Sequence, residues 1–135
     1  MKKINILVLL LLGSPGVAQA EWESISMSSD ATFAEYINRA STRKTPHGYK
    51  VWELLDFKTL QQGVVGHFRS IKLLEEYDCT RKRGRTLSAV WYSGQMGTGT
   101  VADNGSVARF WEAIVPDSTG EIMFNAVCRV LTGIG

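Results

Sequence analysis

The chain has 135 residues, of which 44% are apolar and 21% charged, with a formal net charge of +2. That length and balance suit one folded domain with a modest core and exclude a disordered polyelectrolyte or a multidomain array. Lys2 and Lys3 account for the whole excess, leaving 13 basic against 13 acidic residues, so bulk charge makes no case for nucleic acid or an anionic membrane as partner.

Met1, Lys2 and Lys3 form a positive start, followed by an apolar run from Ile4 to Leu12 that only Asn5 interrupts. Gly13, Ser14, Pro15 and Gly16 break the run, and Ala18, Gln19 and Ala20 put small residues where a signal peptidase reads. A bilayer span needs about 20 apolar residues, and this run stops well short. Residues 1–20 therefore read as a cleavable export signal. Residues 21–135 are the mature domain, with no integral membrane segment and a destination in the periplasm or at the outer cell surface. Export places the only two cysteines, Cys79 and Cys128, in an oxidising compartment, where they are expected to pair. Neither a CxxC spacing nor neighbouring histidines favour a metal instead.

Strand signals follow in series. Trp22–Met27 is a short opening strand. Thr32–Asn38 alternates, with Phe33 and Ile37 on one side and Thr32, Ala34 and Tyr36 on the other. Thr45, Pro46, His47 and Gly48 make a turn into Tyr49–Phe57, apolar on both faces as a central strand would be. After a break at Gly63–Gly66, Phe68–Cys79 sets Ile71, Leu73, Tyr77 and Cys79 on one face and Ser70, Lys72 and Glu76 on the other. Thr86–Tyr92 is a further strand. The segment Gly94–Gly99 lacks the Lys-Ser/Thr ending of a phosphate loop and reads as a hairpin. Asn104-Gly105 suits a type I′ turn, predicting a second hairpin between Thr100–Ala102 and Val107–Ile114.

One helix closes the chain. Ser118 followed by Glu121 is a capping-box pattern, and Gly133 is the stop. Glu121, Asn125 and Arg129 form a polar stripe. Ile122, Met123, Ala126, Val127, Val130 and Leu131 form an apolar arc, with Phe124 and Cys128 at its edge. One cysteine on an apolar strand face and the other beside an apolar helix face imply an α+β fold: a small antiparallel β-sheet with a C-terminal α-helix tied to it by one disulfide.

Five segments then share a pattern: Trp-Glu-Leu-Leu-Asp-Phe (52–57), Ser-Ile-Lys (70–72), Tyr-Asp-Cys with Arg81, Arg83 and Arg85 behind it, Tyr-Ser-Gly-Gln-Met-Gly (92–97), and Trp-Glu-Ala-Ile-Val-Pro-Asp-Ser (111–118) ending in Val127-Cys128. In that order they resemble the surface-adhesin protein E family, over nearly all of the mature chain. One departure is Asn38, where the resemblance implies Asp. The resemblance implies a small antiparallel sheet with a disulfide-tied C-terminal helix. It also implies attachment to host extracellular-matrix components, although a fold by itself does not transfer a function.

The residues argue against catalysis. His47 and His67 lie in or beside glycine-bearing turns, where solvation is the expected fate, and no nucleophile elbow accompanies them. Glu75 and Glu76 are adjacent, so they face opposite sides of a strand and cannot act as a pair. The sequence calls for no metal and no cofactor. The strongest charge feature is Arg81, Lys82, Arg83 and Arg85, a turn that could grip an acidic glycan, a phosphorylated surface or a carboxylate-bearing protein, although a charge run of this length is more often a solvated hairpin turn that discourages edge pairing. As exposed charges, all four are expected to be replaceable by Ser at little cost to folding.

The function expected from the sequence is a non-enzymatic binding or adhesion module of the bacterial envelope. The alternative is a periplasmic inhibitor or accessory factor of an envelope enzyme. Secreted material should begin at Glu21; an intact mass that still includes Met1–Ala20 on a membrane-bound form would overturn the export reading.

Overall fold

The structure, a computed structural model, describes residues 21–64, 66–103, 107 and 109–132. The signal segment 1–20, the Asn104-Gly105 turn and the Gly133 stop lie outside the described residues. Strands β1 (Glu23–Met27), β2 (Phe33–Lys44), β3 (Gly48–Gly63), β4 (Gly66–Asp78) and β5 (Arg83–Tyr92) form an antiparallel meander in chain order. Two short strands, β6 (Val101–Asp103) and β7 (Glu112–Ala113), share the outer edge of β5. Helix α1 (Thr119–Thr132) packs across one face, giving the α+β arrangement that periodicity implied.

The central strands outrun their sequence signals because bulges break the two-residue period. β2 pairs Asn38 with Trp52 and then Arg43 with Lys50, with a register shift between. Ser41 fills that irregularity: its hydroxyl donates to Asn38 O at 2.6 Å and accepts the Trp52 N–H at 2.9 Å. A second shift, between Asp56 and Gln61, carries β3 on to Gly63. The turn into β3 is as read, with Thr45 Oγ1 accepting the Gly48 N–H at 3.1 Å. Gly48 is required there, since a Cβ would stand 2.2 Å from Tyr77 O.

The hairpin expected between Thr100–Ala102 and Val107–Ile114 does not form. β6 pairs with the end of β5 (Tyr92 with Val101), and among the described residues of 107–114 only Glu112–Ala113 is strand, pairing with the start of β5 (Arg83 with Ala113). The long edge of β5 offers unpaired backbone groups at both ends, and each short segment satisfies one of them. The glycine-rich segment does make a hairpin, from β5 to β6, closed by Ser93 N to Thr100 O at 2.9 Å around a 3-10 turn at Gln95–Gly97.

The core gathers Ile37, Val51 and Tyr77 from the sheet with Met123, Phe124, Val127 and Cys128 from the helix. The buried arc is rotated from the expected one: Phe124 and Cys128 are inside, whereas Ile122 is 47% exposed. The cause is the disulfide, which joins Cys79 just past β4 to Cys128 with Cα atoms 5.6 Å apart and turns that side of α1 onto the sheet. Arg39 adds a polar tie, donating from Nη1 to Ala126 O at 2.9 Å while its Nε pairs with Glu23. At the helix start, Ser118 Oγ accepts the Glu121 N–H at 3.2 Å, but Glu121 reaches back to the Asp117 N–H instead of that of Ser118.

The disulfide closes a 49-residue separation, which loop-closure entropy values at roughly 4 kcal/mol. Cys79→Ser or Cys128→Ser should lose stability of that order, and hydrogen exchange should accelerate first in residues 118–131. Free alkylation of both thiols in the native oxidised protein would contradict the pairing.

Candidate binding surface

The basic turn occupies residues 79–82 between β4 and β5. Asp78 Oδ1 accepts the Arg81 N–H at 3.0 Å, and Lys82 adopts a positive φ of 51°. The four basic side chains do not form one patch. Alternation along β5 sends Arg83 and Arg85 to the face opposite the helix, where Arg83 Nε meets Asp78 Oδ2 at 3.0 Å and Arg85 Nη2 meets Glu76 Oε1 at 2.6 Å. Lys82 turns to the helix and pairs with Glu121 at 2.8 Å. Arg81 stands outermost, its side chain 69% exposed and 3.9 Å from Asp78.

Trp111 organises the partly buried pair. The guanidinium carbons of Arg83 and Arg85 lie 4.5 and 4.2 Å from its ring centroid, and His47 packs against it at 5.2 Å. His47 is exposed, as expected of a turn histidine, and one side of its ring packs on Trp111 with Nδ1 3.8 Å from Glu76. Asp78 is held below the ordinary carboxylate range, first by the Arg81 backbone and then by Arg83. Burial pushes Glu76 up, but hydrogen bonds from Thr45 and Arg85 and the nearby positive charge outweigh it and leave it lowered. These contacts overturn the expectation that all four basic residues can be exchanged freely. Removing Arg83 or Arg85 would take from a buried carboxylate its shortest ion pair, at 3.0 Å for Asp78 and 2.6 Å for Glu76.

A second feature sits under the helix. Glu35 of β2, Glu53 of β3 and Glu75 of β4 fall in diagonal register on the helix-facing side and, with Tyr77, Thr86, Glu112 and Met123, line a cleft of about 260 Å³. Tyr77 donates its hydroxyl to Glu53 Oε1 at 2.5 Å, and Thr86 donates to Glu75. Burial lifts Glu75 to about 7, opposed by the Thr86 bond and helped by the Glu112 charge. Burial, then the charge of Glu75, lifts Glu53 well above its ordinary value. Glu35 is raised by burial and partly relieved by Thr119 and Ser26, although its Oε2 lacks a hydrogen-bond partner. The neighbours Glu75 and Glu76 do face opposite ways; the carboxylates that meet come from different strands. Each cleft glutamate shares strand parity with a core residue, Ile37, Val51 or Tyr77, and that parity was the available signal. Among the described residues no group of His, Cys, Asp and Glu is arranged to hold a metal ion, and no helix is long and apolar enough to cross a membrane.

The sequence model of the family described as surface-adhesin protein E matches residues 22–129. Solved structures of Haemophilus influenzae protein E share the fold. One crystal form is 13% identical with a TM-score of 0.63, covering 79% of this chain and 87% of the other. A selenomethionine form is 15% identical with a TM-score of 0.62, covering 78% and 84%. Protein E from a non-typeable strain is 13% identical with a TM-score of 0.62, covering 82% and 78%. No curated protein matches the chain.

The cleft carboxylates fix the sign of the pH dependence. With folded values above unfolded ones, Glu35, Glu53 and Glu75 bind more protons in the folded state, so stability falls as pH rises from the ordinary carboxylate range through about 7. The lowered Glu76 and Asp78 act oppositely, and their contribution is lost as pH falls through their depressed values. The thermal-unfolding midpoint should therefore be highest on the acid side of neutrality. Glu75→Gln should flatten the alkaline decline and stabilise the protein by about 3 kcal/mol or less near pH 8; an unchanged slope would refute this role for Glu75.

Proposed function

We propose, from the premise that this chain belongs to the surface-adhesin protein E family, that it is an exported, non-enzymatic adhesion module displayed on the outside of the bacterial cell, where it contacts host extracellular-matrix components. The family match over residues 22–129 carries the reading. Within it, the outer tip of the turn between β4 and β5 is the contact. Arg81 and Lys82 are its exposed cations, with side chains 69% and 52% accessible. The Cys79–Cys128 bond and the Asp78 hydrogen bond hold their backbone in place before a ligand arrives, which lowers the ordering cost of binding. Their ligand is an acidic glycan or a carboxylate-bearing matrix protein, gripped by charge-assisted hydrogen bonds.

The double substitution Arg81→Ser/Lys82→Ser spares Arg83 and Arg85 and their buried partners, so the fold should survive within about 1 kcal/mol. Binding to immobilised matrix proteins and heparin-like glycans should weaken several-fold and lose much of its salt dependence. Equal binding by both forms would clear the turn of a role. Failure of the unmodified domain to bind, or its protection from protease on intact cells, would favour the periplasmic inhibitor.

A further inference from the structure

The sheet face opposite the helix carries a cleft of about 290 Å³ lined by Trp22, Asn38, Trp52, Lys72, Val90 and Tyr92. Register builds it. Asn38 is the cross-strand partner of Trp52, and the pairing of Glu23 with Ile37 sets Trp22 beside Asn38 from the other side. Lys72 faces Leu54 and Val90 in the next row. Leu54 is fully buried, so the aromatic side chains cover a packed surface.

Two polar groups in this cleft are unmet. Lys72 Nζ lies 5.0 Å from the Tyr92 ring centroid and 5.8 Å from that of Trp22, with no carboxylate in ion-pair range among the described residues. The four turn cations all have one. Asn38 Oδ1 is buried and accepts no hydrogen bond. An Asp at position 38 would place a carboxylate in the cleft that Lys72 lines; the Asn of this chain withholds it.

The lysine is also held in place. The glycine-rich loop is fastened to the sheet by fully buried Ser70, whose Oγ donates to Gly94 O at 2.6 Å and accepts the Gly97 N–H at 2.8 Å. Asp56 Oδ1 accepts the Met96 N–H at 2.7 Å. So anchored, Gly97 rests on the lysine stem: its φ is +68°, and a Cβ there would stand 2.4 Å from Lys72 Cε.

We propose that this cleft binds an acidic sugar, a pyranose ring bearing a carboxylate, presented by a glycan. The C–H faces of the ring lie against Trp22, Trp52 and Tyr92, its carboxylate pairs with Lys72, and a hydroxyl hydrogen-bonds with the side-chain amide of Asn38 at the cleft wall. A neutral sugar leaves the lysine unmet, and a small inorganic anion has no face to stack. The site is separate from the basic turn and stands whether or not that turn attaches to matrix.

The test titrates the mature protein with glucuronate, glucose, acetate and benzoate while the indole N–H resonances of Trp22 and Trp52 are followed by NMR. Glucuronate should shift both saturably and bind about tenfold tighter than glucose, the value of one charge-assisted contact. Acetate should shift neither, and benzoate, which lacks hydroxyls, should bind more weakly than glucuronate. Lys72→Gln and Asn38→Asp should each bring glucuronate down to the glucose level while leaving glucose unchanged. Trp52→Ala should weaken both sugars, with the disulfide and circular dichroism confirming its fold. A tetrasaccharide of alternating glucuronate and N-acetylglucosamine should bind tighter than free glucuronate if the ligand is a glycan; equal affinity would overturn that part. Arg81→Ser/Lys82→Ser should leave every titration unchanged. The proposal fails if glucuronate gives no saturable shift, if acetate or benzoate matches it, or if Lys72→Gln binds it unchanged.

Discussion

Tyr77 must place its ring in the core and its hydroxyl on a buried carboxylate at once, and much of the molecule is arranged around that demand. The ring meets Phe124 edge-on at 5.8 Å between centroids, and the hydroxyl closes on Glu53. Space is made by two glycines on the flanking strands: a Cβ on Gly84 would press to 3.2 Å from the ring, and one on Gly48 would collide with the Tyr77 carbonyl. Two residues on, Cys79 anchors the helix that supplies Phe124. The carboxyl of Glu53 is tolerated inside because a donor is waiting for it, and its raised affinity for a proton limits the charge it exposes to the core.

Along β4 the sheet sorts its chemistry by face. Odd positions meet the helix and form the core and the glutamate cleft. Even positions build two polar sites on the far side, divided by position along the strand. Glu76 and Asp78 take the arginines stacked on Trp111, and Ser70 and Lys72 engage the glycine-rich loop and the aromatic cleft. Cations at one end are neutralised by neighbours; at the other end an ammonium rests among rings alone. Equal composition therefore gives unequal readiness for a charged ligand.

What could be read in the sequence was what depends on a residue and its near neighbours. The Ile71, Leu73 and Tyr77 alternation located the core face of β4, Ser118 with Glu121 located the helix start, and export context paired the cysteines. What could not be read depends on register between distant strands. No count along one strand reveals that Glu35, Glu53 and Glu75 converge. Ser41 could not be recognised as filling a bulge without β3 beside it, and Arg83 and Arg85 looked free until Asp78, Glu76 and Trp111 were placed. The rotation that buries Phe124 and exposes Ile122 is likewise a tertiary effect, in keeping with the tether at Cys128.

The tie between Arg39 and the Ala126 carbonyl joins groups 87 residues apart in sequence. The meander from β1 to β5 is assembled from hairpins between consecutive segments, so its contacts close short loops and can form early. The helix has no such neighbour: besides its core packing it is fastened by Arg39, by Lys82 and by the bond to Cys79, across 87, 39 and 49 residues. Docking of the helix is therefore a costlier loop closure than any hairpin of the sheet, and the disulfide is the covalent latch on it.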